Sequence, residues 1–358
     1  LEPHVKDCAL MGINIKQPNI NTSFQTFVVN EKDEVEYGLS ALKDVGKKFI
    51  EDVCAERANG NFVSLMDFAS RVDLRKGGIR ALNSLAKSGA FDDLCSRDEA
   101  VSSIKNYLEA SEQKFKSKES AVMDMFGSEQ DIKVSGFDLR TFNDSEKLKM
   151  ELESYGFYFS KHPIALMRKT LSSKLATINK LAPSNNEKYI PVLINNKRVV
   201  KKGMSMFVFL EVSDETGIID VSVPLEVFDE KKQLIKENAL VMLKGTVVTD
   251  DYRKGNYEEV GVKIRATDLM PIDQGKKLVT SKIMLDIPRD KIKELGNGKF
   301  KEIKELNDPE GVEVVLNMKD DSLNISAEIK VDTFRVSLED NTFEKINEIF
   351  GEENYTLI

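Results

Sequence analysis

Histidine and cysteine are scarce in this 358-residue chain. Its histidines are His4 and His162, and its cysteines are Cys8, Cys54 and Cys95. The cysteines are scattered and odd in number, which argues against a disulfide framework and fits a reducing, cytoplasmic setting. No Cys/His spacing suits zinc. No apolar run approaches the ~18 residues of a membrane span, so no membrane partner is expected. No charged-then-apolar leader opens the chain. A phosphate-cradling glycine loop and a Ser–His–Asp set are missing as well. A two-metal centre needs paired carboxylates on neighbouring strands. The acidic doublets Asp92-Asp93, Asp250-Asp251 and Asp320-Asp321 fall in turn-like stretches instead. The segment is therefore expected to carry no catalytic residue, no metal and no cofactor of its own.

Charge is present but unevenly spread. The net charge is −8, from 52 basic and 60 acidic residues. Lys43, Lys47 and Lys48 cluster with one acid, Asp44. Arg71, Arg75, Lys76 and Arg80 cluster with one acid, Asp73. Lys197, Arg198, Lys201 and Lys202 cluster with none. The last twenty residues are acidic. An average that is negative can hide basic patches, and such patches are what a nucleic acid meets. Solvated surface charge is the plainer reading of any single cluster.

The pattern along the chain predicts a multidomain α+β protein. Residues 39–116 read as short helices, with Leu42, Val45, Phe49, Ile50 and Val53 at helical spacing, as are Ala81, Leu82, Leu85 and Ala86. Residues 117–120 read as a solvated linker, and a further helix falls near 145–153. From Tyr189 the pattern turns to strands at 190–194, 206–212, 218–223, 239–248 and 260–264, with a helix at 224–236 after the third. Asp214-Glu215-Thr216-Gly217 is a hairpin signal. Five short strands with a helix after the third is the arrangement of an OB β-barrel. Residues 280–358 read as a small α+β unit. A strand at 282–286 precedes a helix from Pro288. Strands follow at 312–316, 323–329 and 333–336, then a helix holding Phe343, Ile346 and Ile349. The domains are accordingly set at 1–36, 37–165, 166–273 and 274–358.

Three constellations carry chemistry. Leu39 to Ile50 matches a helix–hairpin–helix element. The start of its second helix leaves backbone N–H groups free, and these with the positive helix end suit a phosphate. Lys43, Val45, Gly46, Lys47 and Lys48 form this candidate duplex site, which would hold DNA without reading its sequence. Asn83 to Phe91 looks like a second copy, with Ser88 and Gly89 at its apex; an ordinary αα-hairpin is the alternative. The second constellation is Val122-Met123-Asp124-Met125-Phe126, where an apolar pair stands in a polar stretch. Such a pair suits a pocket on another protein, or folds back onto its own domain. The third is the barrel. Phe207 and Phe209 alternate on its second strand, and Lys197, Arg198, Lys201 and Lys202 lie between the first two. Aromatics beside basic residues suit stacked single-stranded bases; alternating phenylalanines are also what a barrel core uses.

The order of these parts resembles the C-terminal portion of the alpha subunit of bacterial DNA polymerase III, the replicative family C enzymes. Met11-Gly12-Ile13 with Pro18-Asn19-Ile20-Asn21-Thr22-Ser23 looks like that family's passage out of the fingers. Tyr37-Gly38-Leu39 through Val45-Gly46, and Ser88-Gly89-Ala90-Phe91-Asp92, resemble its paired hairpins, with Asp44 where a glycine is usual. Met123-Asp124-Met125-Phe126-Gly127 is similar to its internal sliding-clamp motif, with Val122 where glutamine usually begins it. Tyr155-Gly156-Phe157-Tyr158-Phe159-Ser160-Lys161-His162-Pro163 resembles its connector, and Lys202-Gly203-Met204 with Asp214-Glu215-Thr216-Gly217 its barrel. The resemblance implies a part of a DNA-directed DNA polymerase that binds duplex and single-stranded template DNA, the sliding clamp (beta subunit) and, through the last 80 residues, the tau subunit of the clamp loader. The catalytic aspartates and their Mg2+ belong to a palm domain outside this chain. Two other readings stay open. One is a DNA-binding scaffold with no clamp partner. The other is a DNA ligase fragment, although ligases place the barrel before the hairpins and have a four-cysteine zinc site between them.

Overall fold

In a computed structural model, the structure describes residues 1, 4–5, 7–8, 11–121, 134, 136–202, 205–250, 261–288, 305–320, 325–351 and 354–358. The chain divides into two compact units, Leu1–Lys161 and His162–Ile358.

The first unit opens on a small sheet of three two-residue strands, β1 (Ile15–Lys16), β2 (Val28–Val29) and β3 (Val35–Glu36), in the order β1-β3-β2. A single 3-10 turn at Leu39–Ala41 leads to helix α1 (Lys47–Arg57), whose Phe49, Ile50 and Val53 are buried. Helix α2 (Leu65–Arg71) is capped by Ser64, whose hydroxyl accepts the Asp67 amide while Asp67 accepts that of Val63. Helix α3 (Gly78–Ser88) buries Ala81, Leu82, Leu85 and Ala86, two adjacent pairs one turn apart, which make a single apolar stripe. Helix α4 (Arg97–Ala121) runs straight through the stretch expected to be a linker at 117–120. Its 25 residues are anchored at the start, where Ala100 and Ile104 enter the core. Helix α5 (Asp144–Tyr155) begins with a reciprocal capping box between Asn143 and Glu146.

One core joins these elements. Ile20 and Tyr37 lie in the same buried cluster as the helices, so no structural break falls at the boundary expected at 36/37. Tyr155 stacks on Phe159 with centroids 4.9 Å apart and meets Tyr37 edge-on at 5.2 Å. Its hydroxyl donates to the Ser88 carbonyl at 2.8 Å, which fastens α5 to the end of α3.

The second unit begins with the short helix α6 (Pro163–Met167), then a closed five-stranded barrel. Its strands are β4 (Ser184–Lys202), β5 (Ser205–Asp214), β6 (Gly217–Val223), β7 (Leu240–Thr249) and β8 (Val262–Pro271), in the order β4-β5-β6-β8-β7. Helix α7 (Leu225–Lys231) lies between β6 and β7, and its Phe228 joins the barrel core. Alternate residues line the barrel interior. Ile190, Val192 and Ile194 on β4, Val208, Leu210 and Val212 on β5, and Ile219, Val221 and Val223 on β6 all point inward. This is the OB arrangement read from the sequence. Strand β4 is far longer than expected, and pairs with β7 along its first part and with β5 along its last. The hairpin after β5 is locked by Asp214, a buried carboxylate. It accepts the amides of Ile178 (2.8 Å), Thr216 (2.7 Å) and Gly217 (3.0 Å), and the Thr216 hydroxyl.

Helix α8 (Ile272–Val279) leads to a four-stranded sheet of β9 (Lys282–Pro288), β10 (Asn307–Asp320), β11 (Ile325–Val336) and β12 (Tyr355–Leu357), in the order β11-β10-β9-β12. Helix α9 (Asp340–Phe350) packs Phe343, Ile346 and Phe350 into its core. One continuous β11 replaces the two strands expected at 323–329 and 333–336, and β12 was not foreseen. The helix expected from Pro288 lies outside the described residues. Buried Lys276 on α8 sets its ammonium 4.4 Å from the Phe343 ring centre, and burial pulls its pKa down. Among the described residues, no helix is long and apolar enough to cross a membrane.

Candidate nucleic-acid interface

The two hairpin copies differ. In the first, Leu42 and Val45 are core residues, and the Val45 amide closes onto the Leu42 carbonyl. Val45 thus shapes the turn, with its side chain in the core and its amide engaged. Between them Asp44 takes φ +62°, the left-handed conformation that glycine adopts most easily and aspartate tolerates. Gly46 then starts α1 without a side-chain cap. A Cβ on Gly46 would meet nothing within 4 Å, so the approach to the helix start is open. Lys47 and Lys48 are exposed, no acid lies in that first turn, and among the described residues neither lysine has an ion pair or hydrogen bond. Lys43 is engaged elsewhere: its ammonium donates to the Leu152 carbonyl at 3.2 Å, tying the turn to α5.

The second copy is closed. Ser88 is 1% exposed and its hydroxyl donates to the Leu85 carbonyl. Gly89 is buried with φ +83°, and a Cβ there would collide with the Arg97 guanidinium. Arg97 is held by Asp92 at 2.6 Å. The following helix start is already served, because Ser96 accepts the Glu99 amide, and Asp98 and Glu99 make it acidic. Ser88 and Gly89, expected at a phosphate, are thus both buried against their own protein. Burial, an internal guanidinium and two carboxylates occupy that position.

A different helix start takes its place. Gly77 caps α3 without a side chain, and a Cβ on Gly77 would lie 2.7 Å from the Phe49 ring of α1. The starts of α1 and α3 are thus neighbours. Gly78 opens onto free space, and Arg80 is exposed with no partner among the described residues. Lys76 bonds Asp52 of α1 at 2.7 Å, which raises its pKa. The basic cluster around Arg80 is visible in the sequence; the adjacency of the two helix starts is not.

On the barrel, Lys197, Arg198, Lys201 and Lys202 sit on β4 itself, paired with β5, and not in a loop. Arg198 pairs with Phe209, Val200 with Phe207, Lys201 with Met206 and Lys202 with Ser205. Lys197, Arg198 and Lys201 are exposed. Lys197 sets its ammonium 6.0 Å from the Phe228 ring centre. Phe207 is 47% exposed and Phe209 half-buried, so neither belongs to the barrel core, which uses Val208 and Leu210 on that strand. Val122, Met123, Asp124, Met125 and Phe126 lie outside the described residues. Among the described residues no cluster of His, Cys, Asp or Glu could hold a metal ion.

Comparison with known proteins matches the same parts. A helix-hairpin-helix motif family matches residues 12–100, and an OB-fold nucleic acid binding domain family matches residues 192–272. The chain is 29% identical over 297 residues to the DNA polymerase III subunit alpha of Pasteurella multocida, covering 80% of this chain and 25% of that protein. The corresponding subunit of Pseudomonas aeruginosa is 28% identical over 317 residues, 81% of this chain and 26% of its own length. That of Escherichia coli K12 is 28% identical over 285 residues, 76% of this chain and 24% of its own. The chain thus spans about a quarter of the length of the curated relatives it matches.

Proposed function

We propose that this chain is the DNA-holding part of a bacterial DNA polymerase III alpha subunit, the family whose C-terminal portion it resembles. The whole protein would be a DNA-directed DNA polymerase with its catalytic aspartates and Mg2+ in a palm domain outside this chain. This segment supplies grip. The starts of α1 and α3 hold duplex phosphates, and the barrel steers the single-stranded template. Val122 to Phe126 tether the sliding clamp, and residues 274–358 join the tau subunit. Several weak contacts on one chain act through effective concentration, which is how a polymerase stays on its template.

One observation carries the duplex reading. Two uncapped helix starts lie side by side, with Lys47, Lys48 and Arg80 exposed and unpaired among the described residues. Each phosphate contact on duplex DNA adds about 0.9 to the slope of log affinity against log salt. The double substitution Lys47→Ala plus Lys48→Ala is expected to flatten that slope by about 1.8. An unchanged slope removes both lysines from the contact. The tether is tested by binding of the chain to the sliding clamp of the same organism. Met125→Ala plus Phe126→Ala should abolish it, and an intact chain that does not bind would leave a DNA-binding scaffold without that partner.

A further inference from the structure

The outer face of the barrel carries a row of side chains that runs across its strands. Arg198 pairs with Phe209, Phe209 with Ser222, Ser222 with Arg265, and Arg265 with Thr246. Phe209, Ser222, Arg265 and Thr246 point away from the core, because their neighbours Val208, Leu210, Val221, Val223, Ile264, Ala266 and Val247 are buried, and Arg198 shares the side of its partner Phe209. Arg198 and Arg265 are both exposed, and neither has an ion pair or hydrogen bond among the described residues. They end an arc of three strand spacings, about 14 Å along the curved barrel wall. Phe209 lies between them. Arg265 has one basic neighbour in its strand, Lys263, which pairs with Asp250, so no basic cluster announces it.

The rows on either side differ in chemistry. Along one edge Val200 faces Phe207, both nearly half exposed. Along the other, Glu211 pairs with Asp220. An anionic chain crossing the barrel is therefore attracted along the arginine row, can spread its bases over Phe209 and Phe207, and is turned back by the carboxylates. An acidic peptide would find the same guanidinium groups but no use for the exposed aromatics.

We propose that Arg265 is a phosphate contact for single-stranded nucleic acid, the far end of a path that crosses the strands from Arg198 over Phe209. The ligand is a few nucleotides of unpaired strand, with a phosphate on each guanidinium and a base on the ring. This rests on the reading of the barrel as the holder of a single strand.

The test is binding of a short oligothymidylate to the full chain carrying Lys47→Ala and Lys48→Ala, so that the α1 start does not contribute, over a salt series. Arg265→Ala should weaken binding roughly tenfold, the worth of a charge-assisted hydrogen bond. It should also flatten the salt slope by about 0.7, one single-strand phosphate. Arg265→Lys should restore the slope, which a merely structural role would not do. Weaker binding by Phe207→Ala and Arg198→Ala with Arg265→Ala unchanged overturns this path while the barrel reading stands. Binding that no barrel substitution changes overturns both. Full competition by polyglutamate, without loss in Phe207→Ala, overturns the nucleic-acid assignment in favour of an acidic peptide.

Discussion

Asp44 is the residue on which the first hairpin is most sharply testable. It stands at φ +62°, exposed, two residues before the glycine that opens α1. Its carboxylate therefore lies close to any phosphate bound at that helix start. At a separation on the order of 7 Å, two unit charges repel by roughly 0.6 kcal/mol in water, and by two to three times that beside protein. Salt at about 0.1 M cuts this by around half. Asp44→Asn removes the charge and keeps a side chain that tolerates the left-handed conformation. It should raise duplex affinity about two- to five-fold at ~0.1 M salt and more at lower salt, with the gain fading as salt rises, and leave stability unchanged. Asp44→Gly should give the same gain in affinity. Its stability is set by two opposed effects. Relief of the left-handed conformation contributes up to ~1–2 kcal/mol, less for aspartate. The greater freedom of glycine in the unfolded chain costs ~0.5–1 kcal/mol. The net is neutral to about +1 kcal/mol. Fluorescence anisotropy with a labelled duplex and urea unfolding measure both. If Asp44→Asn leaves low-salt affinity where it was, no phosphate comes within a Debye length of this turn, and the duplex assignment of α1 fails.

Two further substitutions probe the frame around the sites. Gly89→Ala forces a side chain into a left-handed position and against the Arg97 guanidinium, so it should destabilise the first unit by ~2–3 kcal/mol in urea unfolding. Duplex affinity of the folded fraction should hold. A collapse of affinity at intact stability would mean that the second hairpin is a contact after all. Asp214→Asn places an amide donor among backbone donors that now share a buried carboxylate. The loss should be ~1–3 kcal/mol, a drop of several degrees in the calorimetric transition of the second unit. A transition that does not move would remove this hairpin lock from the stability of the barrel.

How far the sequence could be read depended on whether the signal was local. The five barrel strands were legible because Ile190, Val192 and Ile194, and their counterparts, alternate with period 2 over short runs between turn residues. The helix after the third strand and the Asp214 hairpin are equally local. Strand ends were less so. Lys197 to Lys202 look like a loop by composition, and become strand only because β5 offers them partners. In the same way Lys118 and Glu119 read as linker but continue a helix whose first turns are fixed by Ala100 and Ile104. The core shared across 36/37 has no local signal, since Ile20 and Tyr37 meet the helices only through the fold.

The two hairpin copies show the limit most clearly. Both have a glycine at the apex of a helical turn, and the second lacks the aspartate that departs from the family pattern in the first. Yet the second is the closed one. What closes it is Arg97, eight residues further on, drawn over Gly89 by Asp92 and backed by Glu151 of α5, 4.0 Å away. A guanidinium supplied by the protein covers this turn. The open position passes to the start of α3, which reaches α1 because Gly77 lets the chain rest on the Phe49 ring. A motif records which backbone turns can form. Whether a turn faces DNA or its own protein is decided by the side chains that pack across it.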